Sequence, residues 1–408
     1  MSLREPPFTV GIEEEYLLVD RRSGELANDP PAALLERCGE RSGGQISPEF
    51  LRCQVEVGTR VARNMAEARA DLARLRALIV EIAADYGLAP IAASTHPFGS
   101  VTSQVRTDKE RYFALAHEMQ ATARRMLICG MHVHVGIDDD ELRIDLMNQM
   151  AYFLPHLLAL SCSSPFWEGE ETGLHSFRLT IFNSLPRTGL PDRFASYGEF
   201  RRHLETLIRN GLIQDTSKIW WDIRPSSRYP TLETRIMDCP TSIDDSVCLA
   251  AFCASLLRML WRLRSANQRW REYPQLLVAE NRWRAMRYGS EEKLLDLARG
   301  ELVEFRVLLE ELIALVRPDA EALGCVAEVE HARRIVERGT SAQRQLARYR
   351  QAREGGASER EALRAVVEGL RQETAAPPGW AAGGGGGPRR ARQRRPACVA
   401  NVCITALE

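Results

Sequence analysis

Acidic and imidazole side chains recur two residues apart in short runs of this sequence. Glu13 and Glu15 stand between a glycine and apolar residues, and His132 and His134 alternate with valines. Side chains two apart in a β-strand point to the same face of the sheet. Carboxylates on a buried face require cationic partners, so a metal site is the first hypothesis.

Three further runs show the same alternation. Glu56 points away from the valines that flank it, and Glu233 and Arg235 alternate with apolar residues. The same spacing pairs Asp222 with Arg224. If all these runs are strands of one antiparallel sheet, their polar faces converge on a cavity that holds carboxylates, histidine and arginines.

Metal-dependent phosphoryl transfer is the chemistry that this set predicts. Glutamate oxygens are hard ligands for Mg²⁺ or Mn²⁺, an imidazole can complete the coordination, and arginines bind phosphate through paired hydrogen bonds. Each motif alone has an ordinary explanation, because a surface strand can carry two glutamates and paired histidines can bond within a core. Four such strands together favour a functional site.

Nucleotide binding would have to use the sheet face and its metals. The sequence has no Gly-x-x-x-x-Gly-Lys-Ser/Thr loop and no Gly-x-Gly-x-x-Gly that opens a helix, so the common glycine-rich phosphate loops are excluded.

The surrounding elements predict an α+β fold. An apolar stripe at helical spacing predicts a helix over residues 64–86 that ends at Gly87, with a strand through Ile91. Residues 241–374 are predicted to be almost wholly helical. A hydroxyl cap and two acids open one helix near 241–245, and Ser358 with Glu361 forms a capping box for another.

Composition narrows the class of protein. The 408 residues carry 54 Lys and Arg against 55 Asp and Glu, a net charge of -1, which argues against a nucleic-acid partner. No basic stretch leads into an apolar run near Met1, and the apolar run near 249–260 is interrupted by Arg258. We therefore expect a cytoplasmic protein without a membrane partner.

The cysteines are expected to be reduced, because the ten of them include no Cys-x-x-Cys pair.

One catalytic domain is predicted over 1–374. Residues 375–408, with five consecutive glycines from Gly383 and an arginine-rich cluster, are predicted to be a disordered tail.

A series of ordered motifs lies within residues 8–374. The motifs are Gly-Ile-Glu-Glu-Glu-Tyr from Gly11, Thr-His-Pro-Phe from Thr95, Glu-Arg-Tyr from Glu110, His-Val-His-Val-Gly from His132, Ala-Leu-Ser from Ala159, Ser-Pro-Phe from Ser164, Pro-Arg-Thr-Gly from Pro186, Trp-Asp-Ile-Arg-Pro-Ser from Trp221, Glu-Thr-Arg-Ile-Met-Asp from Glu233 and Glu-Asn-Arg-Trp from Glu280. This series resembles the glutamate–cysteine ligase type 2 family of carboxylate–amine ligases.

The resemblance implies a glutamine synthetase-like fold, in which a curved antiparallel sheet holds Mg²⁺ between ATP and an amino-acid carboxylate. It also implies a homodimer. The metal ligands that it suggests are Glu13, Glu15, Glu56, His132 and Glu233, with Glu49 as a further candidate. The residues that it suggests for phosphate or substrate are Arg235, Arg224, Arg187, Arg178, Trp221 and His134. Arg235 and Glu233 are the expected catalytic residues.

The expected reaction joins glutamate, or another carboxylate, to cysteine or another amine through an acyl phosphate. Two other readings remain open at this point. A metal-dependent amide hydrolase could use His-x-His and carboxylates to activate water, and a non-catalytic relative could bind small molecules with the same fold. ATP dependence and the identity of the metal would separate them.

Overall fold

An antiparallel sheet of seven strands organises the computed structural model, which describes residues 4–379. The strands of the described chain are β1 Val10–Asp20, β2 Ile46–Pro48, β3 Gln54–Gly58, β4 Leu88–Ile91, β5 Met131–Gly136, β6 Phe166–Trp167, β7 Glu170–Glu171, β8 Thr188–Gly189, β9 Trp220–Trp221, β10 Ile223–Pro225, β11 Thr231–Thr234, β12 Lys293–Asp296 and β13 Glu301–Glu304. The strand order of the seven-stranded sheet is β10-β11-β5-β1-β3-β2, and β4 pairs with β1.

Helices cover one face of the sheet and make up most of the C-terminal half of the chain. They are α1 Ala32–Ser42, α2 Met65–Asp85, α3 Glu110–Met119, α4 Asp140–Met150, α5 Leu154–Ser161, α6 Arg178–Phe182, α7 Tyr197–Arg209, α8 Ile243–Ser265, α9 Gln275–Tyr288, α10 Phe305–Ala322, α11 Val326–Glu330, α12 Ala332–Arg338, α13 Ser341–Glu354 and α14 Glu359–Ala375. The predicted α+β class is confirmed.

The strand register brings the predicted polar residues together. Directly opposite residues in an antiparallel pair share one face of the sheet. The register pairs Glu13 with His132, Glu15 with Glu56, and Glu233 with both His134 and Arg224. The alternation seen in the sequence therefore produces one continuous polar face.

The opposite face is apolar and packs against helices. Ile12, Val133 and Leu232 are fully buried there, beneath α2 and α8. Helix α2 begins after Asn64, whose side chain accepts a hydrogen bond from the Glu67 amide, which confirms the helix predicted over 64–86. Because the apolar face packs against these helices, the polar side chains of the strands lie on the opposite face of the sheet.

Two local predictions about the helical half need correction. A hairpin of β12 and β13 interrupts the region expected to be almost wholly helical, because Asp296 accepts hydrogen bonds from the amides of Ala298 and Arg299 and Gly300 adopts a φ of +74°. Ser242 precedes α8 but its side chain makes no cap hydrogen bond. The capping box of Ser358 and Glu361 is confirmed.

Helix α8 is long and apolar enough to cross a membrane, but 78% of its most apolar window is buried inside the protein. A buried core helix passes the same test of length and composition. The eight cysteines of the described residues are free and buried. The predicted tail lies mostly at 380–408, outside the described residues.

Candidate active site

A cavity of about 430 Å³ opens over the polar face of the sheet. Ten of the predicted site residues line it: Glu13, Glu15, Glu49, Glu56, His132, His134, Arg178, Arg224, Glu233 and Arg235. A second cavity of about 620 Å³ is lined by charged residues that include Glu141, Asp145 and Arg264, and contains none of the predicted residues. The candidate active site is therefore the cavity on the sheet.

One group of side chains is arranged for a metal ion. Ligand atoms of Glu13, His134 and Glu233 lie within 4.8 Å of one another, and all three residues are buried. His134 Nδ1 is 2.9 Å from Thr231 Oγ1, whereas its buried Nε2 has no hydrogen-bond partner among the described residues. That nitrogen lies 3.3 Å from Glu13 Oε1 without hydrogen-bond geometry. Two carboxylates and an imidazole nitrogen fit a divalent cation.

The two histidines differ in their contacts with the carboxylates of the site. His132, the histidine expected to bind metal, places Nδ1 3.2 Å from Glu13 Oε2 and 3.4 Å from a nitrogen of Arg235. It is absent from the ligand group, and His134 takes its place. The register places His134 opposite Glu233 on β11, whereas Glu13 lies opposite His132 and reaches His134 along the same face of the sheet.

The carboxylates of the site divide into two electrostatic groups. Burial opposes ionisation of Glu13, but His134 and His132 lower its pKa overall; likewise Arg224 and Arg235 overcome burial to lower the pKa of Glu233. These two side chains are therefore ionised.

Glu15, Glu49 and Glu56 show the opposite behaviour. Burial and then the charge of Glu49 raise the pKa of Glu15 to about 7, and burial with neighbouring carboxylates raises that of Glu56 well above its usual value. Burial also raises the pKa of Glu49. Three crowded carboxyl groups of this kind gain stability from a bound cation.

The arginines differ in how their donors are engaged. Arg224 holds Glu233 through Nε at 2.9 Å and through a second nitrogen at 3.3 Å, and it also donates to the Ser217 carbonyl at 3.0 Å. Arg235 contacts the same carboxylate. Glu233 is therefore held by two guanidinium groups, which orient it as a ligand.

Two predicted ligand-binding residues lie outside the cavity lining. Arg187 donates from Nε to the Lys218 carbonyl at 2.9 Å and lies over the ring of Trp220, 5.5 Å from its centroid. Trp221 packs against Phe194 and Phe200, with ring centroids 5.8 and 6.3 Å apart, respectively. Its neighbour Trp220 lines the cavity instead.

The expected pairing of Asp222 with Arg224 on one face is wrong. Asp222 lies between β9 and β10, and its carboxylate binds Arg282 at 2.6 Å, away from the cavity. The strand is interrupted at this residue, so the alternation that holds within a continuous strand does not extend across it.

Comparison with known proteins identifies the family. The model of glutamate–cysteine ligase family 2 matches residues 9–368. The chain belongs to this family. A relative from Rhodospirillum rubrum, provisionally named glutamate–cysteine ligase 2, is 58% identical over 381 residues, which cover 92% of this chain and 98% of the relative. One from Paracoccus denitrificans with the same provisional name is 52% identical over 369 residues, 90% of this chain and 98% of the relative.

Solved structures show the same fold at low identity. Glutamate–cysteine ligase from Francisella tularensis, solved in complex with AMP, has a TM-score of 0.65 at 16% identity and covers 92% of this chain and 90% of that one. A bifunctional glutathione synthetase from Pasteurella multocida has a TM-score of 0.64 at 15% identity, with 90% of this chain and 52% of that one covered. The chain therefore shares its fold with these two proteins.

Part of the cavity lining consists of residues that were not predicted from the sequence. The cavity lining also includes an apolar wall formed by Phe50, Leu115, Met126, Ile128, Phe182 and Leu185, which belong to one apolar cluster. Arg111 and Tyr112 of α3 also line it, and Tyr112 Oη lies 3.1 Å from Glu49 Oε2. The Glu-Arg-Tyr motif was a signal for these two residues, whereas the wall residues are ordinary apolar side chains that no local pattern distinguishes from core.

Proposed function

We propose that the protein is an ATP-dependent carboxylate–amine ligase in which Glu13, His134 and Glu233 hold a Mg²⁺ or Mn²⁺ ion. The observation that carries this proposal is the meeting of these three side chains beside the arginine-rich part of the cavity. Glu15, Glu49 and Glu56 supply further carboxylates for cations. Family membership supports ligation as the reaction class.

The proposed reaction has two steps. The carboxylate of the donor, for which we propose the γ-carboxylate of glutamate, attacks the terminal phosphorus of ATP, so that ADP leaves and an acyl phosphate forms. An amine, with cysteine as the family's named acceptor, then attacks the acyl carbon; phosphate leaves, the amine loses a proton, and an amide forms.

The residues of the chain bind and orient the reactants in both steps. A bound Mg²⁺ or Mn²⁺ would neutralise phosphate charge. Arg235 lies beside Glu233 at the cavity surface and stabilises negative charge that develops on the transferred phosphoryl group. Arg224 keeps Glu233 in place, and the apolar wall provides an uncharged surface for the adenine ring.

The hydrolase alternative fits the site less well. Five glutamates but only two histidines line the predicted metal region, and such hard oxygen ligands favour Mg²⁺ or Mn²⁺ over Zn²⁺. The cationic side chains of the lining, which include Arg111, Arg224 and Arg235, suit an anionic cosubstrate such as ATP.

The test of the proposed function is phosphate release from ATP with Mg²⁺ and glutamate, with and without a panel of amines that includes cysteine, followed by mass analysis of the product. We expect amine-dependent release together with a new amide. Glu13→Gln should fold and lose nearly all turnover, while Glu40→Gln, at an exposed position of α1, serves as the matched control. ATP-independent hydrolysis of an amide, or no release with any pair, would contradict the ligase.

The assignment of His134 has a separate test that needs no turnover. Mn²⁺ binding to His134→Ala and His132→Ala can be followed by electron paramagnetic resonance. We expect His134→Ala to weaken Mn²⁺ binding at least tenfold, as removal of a ligand or its support does, and His132→Ala to weaken it less. The reverse order would give His132 the ligand role.

A further inference from the structure

Arg178 is the most enclosed arginine of the cavity lining. It begins α6, and only 3% of its surface is exposed. Its two terminal nitrogens donate to the main-chain carbonyls of Ile236 at 3.4 Å and Arg235 at 3.3 Å. The guanidinium therefore connects α6 to the segment that directly follows β11 and contains Arg235.

Gly130 makes the room that this guanidinium occupies. A Cβ atom at Gly130 would lie 2.3 Å from one terminal nitrogen of Arg178 and 2.8 Å from Cζ, far inside van der Waals contact. The backbone of Gly130 does not adopt a positive φ, so the residue type is required by this contact and not by its conformation. Arg178 and Gly130 fit together as a pair.

The same glycine binds one of the site carboxylates. Its amide donates to Glu15 Oε2 at 2.7 Å, and its carbonyl accepts from the Glu15 amide at 3.1 Å. Any shift of Gly130 away from Arg178 would therefore move Glu15. Through this contact the position of Arg178 is coupled to β1 as well as to the end of β11.

The other side of Arg178 is fixed by a buried acid and an aromatic ring. Asp238 accepts hydrogen bonds from Ser164 Oγ at 2.7 Å and Ser176 Oγ at 2.8 Å, and Ser164 Oγ in turn accepts from the Arg178 amide at 3.1 Å. The Phe182 ring lies 5.4 Å from Arg178 Cζ, a cation–π distance.

We propose that Arg178 is a positioning residue for Arg235 and Glu15 and does not bind phosphate. It holds the main chain at Arg235 and occupies the space left by the absent side chain of Gly130, and so sets the distance between the ends of β1, β5 and β11 on which the site depends. This inference rests on the proposed function, because it takes Arg235 and Glu15 as members of the active site.

The test compares Arg178→Met and Gly130→Ala, which disturb the same contact from opposite sides. Gly39→Ala is the matched control, because a Cβ there would meet its nearest neighbour at an ordinary 3.7 Å. ATP affinity by calorimetry, kcat and KM are measured for each variant. We expect kcat to fall at least tenfold in both Arg178→Met and Gly130→Ala, while the Kd of ATP changes less than about threefold; the control should match the wild type.

A phosphate-binding role for Arg178 would give a different result. Arg178→Met and Gly130→Ala would then both weaken ATP binding tenfold or more, because the first removes the guanidinium and the second displaces it. That combination would overturn the proposal.

A double variant and a structure remove the ambiguity of misfolding. If Gly130→Ala unfolds, Gly130→Ala with Arg178→Met should regain the melting temperature of Arg178→Met alone, because the clash is gone. A double variant less stable than both would overturn the fit.

If the wild type neither binds ATP nor releases phosphate, the ligase proposal fails. The positioning role is then decided by crystal structures, in which Gly130→Ala should displace Arg178 and the Arg235 main chain; unchanged positions would refute it.

Discussion

Replacing Arg76 by methionine should destabilise the whole sheet, although Arg76 is remote from the cavity lining. Glu14 lies between the two site glutamates of β1 but points to the apolar side, where it is fully buried. Arg76 of α2 binds both of its carboxylate oxygens at 2.9 Å and also donates to the Pro240 and Thr241 carbonyls. One guanidinium thus joins β1 to the segment that follows β11.

The expected magnitude follows from burial. Arg76 is 2% exposed and Glu14 not at all, and removal of one partner from such a pair costs about 3–5 kcal/mol because the other charge stays buried and unpaired. The described residues 4–379 correspond to an unfolding entropy of about 0.8 kcal/mol/K, so the melting temperature should fall by about 4–6 °C.

The assay is thermal denaturation followed by circular dichroism, with Arg41→Met as control. Arg41 pairs with Glu81 in solvent, and such a pair contributes little to stability, so its melting temperature should match the wild type. The double variant Glu14→Gln/Arg76→Met should lose less stability than the two single variants added together, since it leaves no buried unpaired charge. Equal melting temperatures for Arg76→Met and the control would refute the reasoning.

Two further predictions concern pH and the tryptophan pair. Burial lowers the pKa of His96 to about 3, and both ring nitrogens bond main-chain groups of Gly24 and Phe98. The unfolded state, with a pKa near 6.5, then binds the proton more readily, so this residue removes about 2 kcal/mol of stability between pH 6.5 and pH 5; melting curves of His96→Gln should depend less steeply on pH, and equal slopes would contradict this. Trp220→Leu should raise the KM of a substrate with little change in melting temperature, whereas Trp221→Leu should do the reverse; a KM effect confined to Trp221→Leu would restore the original assignment.

Local patterns predicted the elements that carry the site. Alternation along a strand depends only on covalent geometry, so the common face of Glu13 and Glu15, and of His132 and His134, could be predicted without knowing any neighbour. The capping box at Ser358 is equally local and is confirmed. The same reasoning wrongly placed Asp222 and Arg224 on one face. The strand is interrupted at Asp222, and a break of this kind depends on tertiary contacts such as that with Arg282.

Several expectations stay predictions. The homodimer, the cytoplasmic location and the single domain over 1–374 rest on resemblance or composition. The identity of the acceptor amine also rests on resemblance, because no feature among the described residues of the cavity lining singles out cysteine.

The sequence by itself determined the α+β class, the family and the set of polar residues that share the face of one sheet. Only the tertiary structure decided that His134 and not His132 joins Glu13 and Glu233, that Trp220 and not Trp221 lines the cavity, and that the guanidinium of Arg178 is engaged by the main chain. The physical reason is that residue spacing specifies direction within one strand, whereas distances between strands follow from register and from the helices that bury the other face.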